Sequence, residues 1–170
     1  ATAAHPPRVL ILNPYGRDVE PFSSAVASFR LTLAREMGAP LDFYELPMEL
    51  TRFNGGEEEA ALVAFLEDRM RNQPVDLVVP FGAAGMQFVS QHRPRLFAAT
   101  PVLLTAAEPR FVPPEFLQTN ATLVTQKVDP SGFIEDILQM KPETRHIAVV
   151  FGSSAMERAW VEECRRAFAR

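Results

Sequence analysis

Residues 74–85, with the sequence Pro-Val-Asp-Leu-Val-Val-Pro-Phe-Gly-Ala-Ala-Gly, decide the fold of this chain. Their apolar run is nearly continuous rather than alternating, which is typical of a strand covered on both faces, and it ends in a glycine turn that begins a helix. The stretch is therefore predicted to form the centre of a parallel sheet. Because helix N-termini and open backbone amides converge where such strands end, we expect a ligand there.

Further strands are predicted on both sides of this stretch. They comprise residues 8–13, 41–46, 101–105 and 121–125. The first four strands begin about 30 residues apart, which is the size of one strand-helix-strand unit. The sequence therefore predicts an α/β fold with a doubly wound parallel sheet and right-handed crossovers.

The segments between these strands have apolar residues at helical spacing and are predicted to be helices. The first helix is predicted from about Pro21 to a stop at Gly38, and the third from about residue 83 to residue 92, followed by a short loop at 93–95. The apolar face of the first helix consists of Phe22, Val26, Phe29, Leu33 and Met37. The spacing of four, three, four and four residues within that face is typical of an amphipathic helix.

The second helix is predicted to begin with a capping box. Asn54 and Glu57 have the required spacing, and Glu58 and Glu59 complement the positive end of the helix dipole. These three glutamates are therefore interpreted as cap residues and not as catalysts. The apolar face of this helix is predicted to consist of Leu62, Phe65, Leu66 and Met70.

The last third of the chain repeats the strand and helix pattern. A proline-rich segment at residues 108–118 is predicted to be an ordered loop, and a helix follows with Asp129 as N-cap, Pro130 in its first turn and Pro142 at its end. Residues 146–151 are predicted to form another covered strand. Residues 146–170 are therefore expected to be the opening strand-helix unit of a second sheet, so the chain is interpreted as a fragment of a larger region.

A final helix is predicted after a second capping box, formed by Ser154 and Glu157. Its inner side is predicted to carry Trp160, Val161, Cys164 and Phe168. The single cysteine cannot form an internal disulfide, and its position on this face favours a small buried hydrophobe over a nucleophile.

Composition excludes several classes of function. The chain has 170 residues, 47% of them apolar, and a net charge of −4, so it can bury a core but has no basic stripe for nucleic acid. No apolar run approaches the length of about 20 residues that a membrane span requires.

No motif demands catalysis. His5, His92 and His146 lack metal-ligand spacing, so neither a metal site nor a cofactor is expected. Ser153 and Ser154 follow a predicted strand but lack the glycines of a nucleophile elbow, and no P-loop lysine or GxGxxG spacing is present. We therefore expect this domain not to be an enzyme.

Several stretches in this order resemble a known family. They are the turn after the first strand, Glu45 followed by residues 48–53 (MELTRF), residues 74–85, Leu96-Phe97 before 101–104 (PVLL), and residues 141–145 (KPETR). Together they resemble the type I periplasmic-binding fold, in the branch that includes uncharacterised ABC-transporter substrate-binding proteins and the sensor domains of bacterial histidine kinases. Two departures are Ala83, where members often have a polar or acidic residue, and Glu49, where aspartate is common.

The resemblance implies two α/β lobes with a small ligand in the cleft between them. It implies a first α/β lobe at 1–125 and, at 126–170, a crossover helix with the opening strand-helix unit of a truncated second lobe. It implies an extracytoplasmic sensor domain of a membrane-anchored signalling protein, most specifically a histidine kinase; the alternative is the substrate-binding protein of an ABC importer. The expected partner is a small polar molecule or an anion, with a membrane tether and a homodimer as further expectations. A third hypothesis, a flavodoxin-like enzyme or receiver, is disfavoured because Asn13 and Phe81-Gly82 replace the acidic residues that a receiver needs.

Independently of the family, polar and aromatic residues cluster where the predicted strands end. The predicted ligand-binding set is Tyr15, Arg17, Asp18, Glu45, Glu49, Arg52, Phe81, Gly82, Thr105 and Glu108. The backbone amides after Phe81 would suit a carboxylate or phosphate. The competing interpretations are a solvated turn for the first three residues and a local ion pair between Glu49 and Arg52.

Overall fold

A computed structural model describes residues 5–49, 56–109, 112–118, 120–125, 128–152 and 155–169. The strands are β1 (Arg8–Asn13), β2 (Asp42–Pro47), β3 (Leu77–Pro80), β4 (Val102–Ala107) and β5 (Ala121–Thr125). The α-helices are α1 (Phe22–Met37), α2 (Gly56–Asn72), α3 (Gly82–Leu96), α4 (Pro130–Met140) and α5 (Ala155–Phe168). The chain divides into two compact units, residues 1–126 and 127–170.

The first unit contains a five-stranded sheet with the order β2-β1-β3-β4-β5. Every neighbouring pair of strands runs parallel. For example, Arg8 of β1 lies opposite Asp42 of β2, and Val102 of β4 lies opposite Ala121 of β5. The α/β class and the parallel sheet predicted from the sequence are therefore confirmed.

Both faces of this sheet are covered. On β1, Leu10 and Leu12 pack into a cluster with residues of α2 and α3, whereas Val9 and Ile11 pack on the other face against α1. Alternating strand residues thus enter two separate cores, which explains why the strand sequence is apolar without interruption. In α3, a Cβ on Gly85 would lie 3.2 Å from Pro80 Cβ, so the glycine permits close packing of the helix on β3.

Several predicted helix boundaries are confirmed. Gly38 ends α1 in the left-handed conformation with φ of 59°. Asp129 caps α4 by accepting hydrogen bonds from the amides of Ser131 and Gly132, and Lys141 follows the last residue of that helix. The predicted caps Asn54 and Ser154 lie outside the described residues.

The predicted end of the third helix is wrong. Residues 93–95 are not a loop, because α3 continues through Pro94 to Leu96 and the Phe97 amide donates to the Arg93 carbonyl at 2.8 Å. Proline inside a helix costs about 3 kcal/mol. Burial of the Phe97 side chain, which is 1% exposed, offsets part of that cost.

Two other elements also differ from prediction. Within the segment predicted as a loop, Pro114–Gln118 forms a 3-10 helix. Residues 146–151 are irregular and largely exposed, with Val150 at 91%, so the strand predicted there is wrong. A strand requires a hydrogen-bonded neighbour, and the described residues of the second unit contain none.

Three predicted apolar faces extend too far toward solvent. Met37, Phe65 and Phe168 are 52%, 48% and 44% exposed, respectively. The first two lie at the margins of faces whose buried centres are Val26 in α1 and Val63 with Leu66 in α2. Helical spacing thus located each face but not its width.

Candidate functional site

The carboxyl ends of the strands carry an unusual backbone. Glu49, just after β2, has a φ of 46°, and Ala106, near the end of β4, has a φ of 53° at an irregularity in the register with β5. Phe81, directly after β3, pairs with Thr105 in an isolated parallel β-bridge, and the next residue, Gly82, has a φ of 64°. Left-handed residues other than glycine cost about 1–3 kcal/mol, and such strain is concentrated at functional sites.

Asn13 ends the interior strand β1 and is fully buried. Its Oδ1 accepts from the Tyr15 amide at 3.1 Å, and its carbonyl accepts from the Met48 amide at 2.8 Å. Its buried Nδ2 has no hydrogen-bond partner among the described residues. A buried donor without a partner costs about 1–3 kcal/mol, so a bound molecule that accepts from it would recover that cost.

Phe81 and Gly82 join β3 to α3. The Phe81 amide donates to the Leu12 carbonyl at 3.0 Å, and its ring packs edge-to-face on Phe29 with centroids 6.0 Å apart. The ring is 2% exposed and belongs to the core on the α1 side. The N-terminus of α3, which begins at Gly82, has no side-chain cap, so the first backbone amides of this helix are left for another acceptor.

The turn after β1 presents an aromatic surface next to exposed charges. The half-buried ring of Tyr15 lies 4.4 Å from that of Phe22, measured between centroids. Arg17 and Asp18, two and three residues later, are exposed. A Cβ on Gly82 would lie 3.5 Å from Phe22 Cε1, so this turn lies beside the start of α3.

A depression of about 440 Å³ between α1 and β2 brings together Arg17 and Glu45. It also includes Arg30, whose Nη1 lies 3.7 Å from Glu45 Oε2 and whose guanidinium lies 5.3 Å from the centre of the Phe43 ring. Two guanidinium groups and one carboxylate give this depression a positive excess, which suits an anionic or zwitterionic group.

Thr105 lies in a second depression, of about 490 Å³, on the α1 side of β4 and β5. Its hydroxyl is buried and donates to the Pro80 carbonyl at 3.3 Å, so its first role is to join neighbouring strands. Phe81 and Ala106 border the same depression. Glu49 and Glu108 are half-buried at the ends of β2 and β4, and Arg52 lies outside the described residues.

The described members of the predicted set therefore lie at one edge of the sheet. Four of them line two separate depressions, Arg17 and Glu45 in one and Phe81 and Thr105 in the other. Their roles in binding remain predictions. Sequence reasoning missed Asn13, Arg30 and Ala106. The polar residue at the end of an apolar strand was the available signal for Asn13, whereas the φ of Ala106 has no signature in the sequence.

The described part of the chain was compared with the side-chain clusters that hold metal ions and with the helices that span membranes. No group of three or more histidine, cysteine, aspartate or glutamate side chains in that part is placed to hold a metal ion. None of the helices there is long and apolar enough to cross a membrane.

Comparison with known proteins gives a fold likeness. No protein-family model and no curated protein matches the chain. An ABC domain from Streptococcus pneumonia, solved in complex with L-Trp, superposes with a TM-score of 0.61 and 17% identity over 94% of this chain and 52% of its own. The two chains therefore share a fold.

A second solved structure agrees. CD0873, a substrate-binding protein with adhesive properties from Clostridium difficile in a ligand-free, open structure, gives a TM-score of 0.57 and 13% identity. The match covers 96% of this chain and 53% of CD0873. The chain thus spans about half the length of both solved proteins, and at these identities the likeness concerns the fold.

Proposed function

We propose that this chain provides part of a binding site for a small polar molecule, at the carboxyl ends of its parallel strands. The observation that supports this most strongly is the left-handed backbone of two residues other than glycine, Glu49 and Ala106, at that edge. Strained backbone persists where function requires it, and open α/β sheets bind ligands at this edge. The ABC domain that shares the fold was solved with L-Trp, a small molecule of this kind.

The recognised molecule is proposed to carry an anionic group. The uncapped start of α3 and the unpaired Nδ2 of Asn13 offer hydrogen-bond donors, and Arg17 and Arg30 add positive charge nearby. Tyr15 and Phe22 supply an apolar surface for the body of the ligand. This combination favours a carboxylate with an attached hydrophobic part, such as an amino acid.

The biological role is proposed to be that of a substrate-binding component of an importer. CD0873, which shares the fold, is named as a substrate-binding protein, and this favours the importer over the histidine-kinase sensor that the resemblance first suggested. Either role implies an extracytoplasmic protein that binds its ligand without altering it. The complete gene distinguishes the two, because only the sensor would have a kinase core in the same polypeptide.

The proposal is tested by NMR with the isotopically labelled 170-residue chain and a panel of amino acids and organic acids at about 10 mM, since one lobe alone is expected to bind weakly. At least one compound should shift the amide signals of Tyr15, Gly82 and Ala106. Arg17→Ala should reduce those shifts, whereas Arg35→Ala, on an exposed part of α1 where Arg35 pairs with Glu36, should not.

The result that overturns the proposal is equally specific. Shifts confined to other surfaces, or shifts that remain unchanged in both Arg17→Ala and Glu108→Ala, would show that the strand ends do not bind the ligand. Turnover of any compound in the panel would contradict the proposed role as a binding protein.

A further inference from the structure

A third cavity lies at the opposite edge of the sheet, where the strands begin. It has a volume of about 450 Å³ and is bordered by the end of α3 and by the 3-10 helix. We name it the Arg93 cavity; its wall includes Ser90, Arg93, Pro94, Pro113, Glu115 and Phe116. The volume falls within the range of about 300–1,000 Å³ that is usual for small-ligand sites.

Arg93 is buried in this wall, with 8% of its surface exposed. Its Nη2 donates to the Asn120 carbonyl at 3.0 Å, but its buried Nη1 has no hydrogen-bond partner among the described residues. Burial lowers the pKa of the guanidinium. A buried cation with an unused donor is costly unless an anion or another acceptor reaches it.

The contact with Asn120 fixes the guanidinium. The Asn120 carbonyl also accepts from the Val102 amide at 3.1 Å, and the Asn120 side chain donates to the Ala99 carbonyl at 3.3 Å. Asn120 itself has a φ of 42°. Because this backbone is held from both sides, Arg93 is positioned before any ligand arrives, which reduces the entropy lost on binding.

We propose that the Arg93 cavity binds a small organic carboxylate with an apolar body. The carboxylate would accept from Nη1 of Arg93, and the body would pack on Pro94, Pro113 and Phe116, of which Phe116 is 5% exposed. Charge-assisted hydrogen bonds to arginine are about twice as strong as neutral ones, and partial burial reduces their screening by solvent. This site is separate from the strand ends, so it does not depend on the function proposed above.

Glu115 limits the affinity of this site. Its carboxylate borders the cavity and repels an anionic ligand, and its side chain is exposed, so it is free to adopt other rotamers. Glu115→Gln is therefore expected to strengthen carboxylate binding. The opposite result, weaker binding, would overturn the proposed position of the anion.

Calorimetry with benzoate tests the site, with benzyl alcohol as a neutral ligand of similar size. The chain should bind benzoate at least about tenfold more tightly than benzyl alcohol, because one charge-assisted hydrogen bond distinguishes them. Arg93→Gln should abolish that preference. Arg95→Gln, two residues away on the exposed surface of the same helix, should keep it.

A second variant leaves Arg93 intact. Ala98→Phe fills the cavity from its exposed rim and should weaken benzoate binding by at least about tenfold, even if Arg93→Gln fails to fold. Equal binding of benzoate to the wild type and to both Arg93→Gln and Ala98→Phe would overturn the proposal, as would the absence of binding at millimolar benzoate. Binding that is lost in Arg17→Ala would place benzoate at the strand ends and would also overturn it.

Discussion

Gly82 and Ala106 meet across neighbouring strand ends, and both have a left-handed backbone. A Cβ on Gly82 would lie 3.9 Å from the Ala106 carbonyl oxygen, with φ angles of 64° and 53° for the two residues. The space is sufficient for a methyl group, so the requirement for glycine at position 82 is conformational and not steric.

Gly82→Ala should therefore destabilise the chain by about 1–2 kcal/mol, the cost of a left-handed backbone for an ordinary residue. Gly38→Ala is a matched control, since Gly38 has a φ of 59° with no atom within 4 Å of the added Cβ. Urea denaturation should show similar losses for both variants. Only Gly82→Ala should reduce the ligand-induced NMR shifts; equal ligand responses in the two variants would contradict a role for Gly82 in binding.

Leu10→Ala should lower the free energy of unfolding by about 2–5 kcal/mol, because it removes a fully buried side chain from the interior strand β1 and leaves a cavity. Leu31→Ala, at a position that is 74% exposed on α1, should change it by less than about 0.5 kcal/mol. Urea denaturation of both variants measures the difference. Similar losses of unfolding free energy in the two variants would contradict the burial of Leu10 in the core.

Asp129→Ala should weaken α4 by about 1 kcal/mol, since two backbone amides lose their acceptor. Hydrogen exchange in α4 should then be about fivefold faster, whereas Asp136→Ala, in the middle of the same helix, should have a small effect. An unchanged exchange rate in Asp129→Ala would show that the cap does not stabilise this helix.

The pKa of Glu67 should depend on Arg95, its hydrogen-bond partner on α3. Arg95 donates to both carboxylate oxygens of Glu67, with Nη2 at 2.6 Å from Oε2, and this hydrogen bonding lowers the pKa of Glu67. Arg95→Gln should raise that pKa toward its ordinary value of 4.5, and Arg71→Gln should raise it less, because Arg71 acts only through its charge at longer range. NMR titration of the Glu67 carboxyl carbon measures both shifts.

The same pair gives stability a defined pH dependence. Because the pKa of Glu67 is lower in the folded than in the unfolded chain, its contribution is fully present above about 4.5 and is lost as pH falls through the lower folded value. Arg95→Gln should flatten the stability curve in that acidic window. A pKa that stays low in Arg95→Gln would exclude the ion pair as its cause.

Much of the sheet was predictable because its signals are local. The continuous apolar run in β1 and the glycine after α1 each reflect the conformation of a few neighbouring residues, and the structure has both as predicted. Pro94 misled the prediction because the proline signal is local, whereas the burial of Phe97 that stabilises the end of the helix depends on tertiary packing. The prediction of a strand at residues 146–151 was wrong because an apolar run forms a strand only where another strand pairs with it, and the run itself does not show whether a partner is present.

The candidate site was less predictable than the fold. Charged residues after the strands could be named from position alone, but the depression that joins Arg17 to Glu45 also includes Arg30, which comes from the middle of α1. The unpaired donors on Asn13 and Arg93 exist only because the folded chain excludes water from them. Such features depend on three-dimensional burial, which no short motif encodes.

The irregular segment at residues 146–151 has a practical consequence for handling the protein. Ile147, Val149 and Val150 are 38%, 47% and 91% exposed, and no strand among the described residues pairs with this segment, so it can join a strand of another molecule. Aggregation should therefore increase steeply with protein concentration, and a charged residue in place of Val150 should delay precipitation while leaving the five-stranded sheet intact.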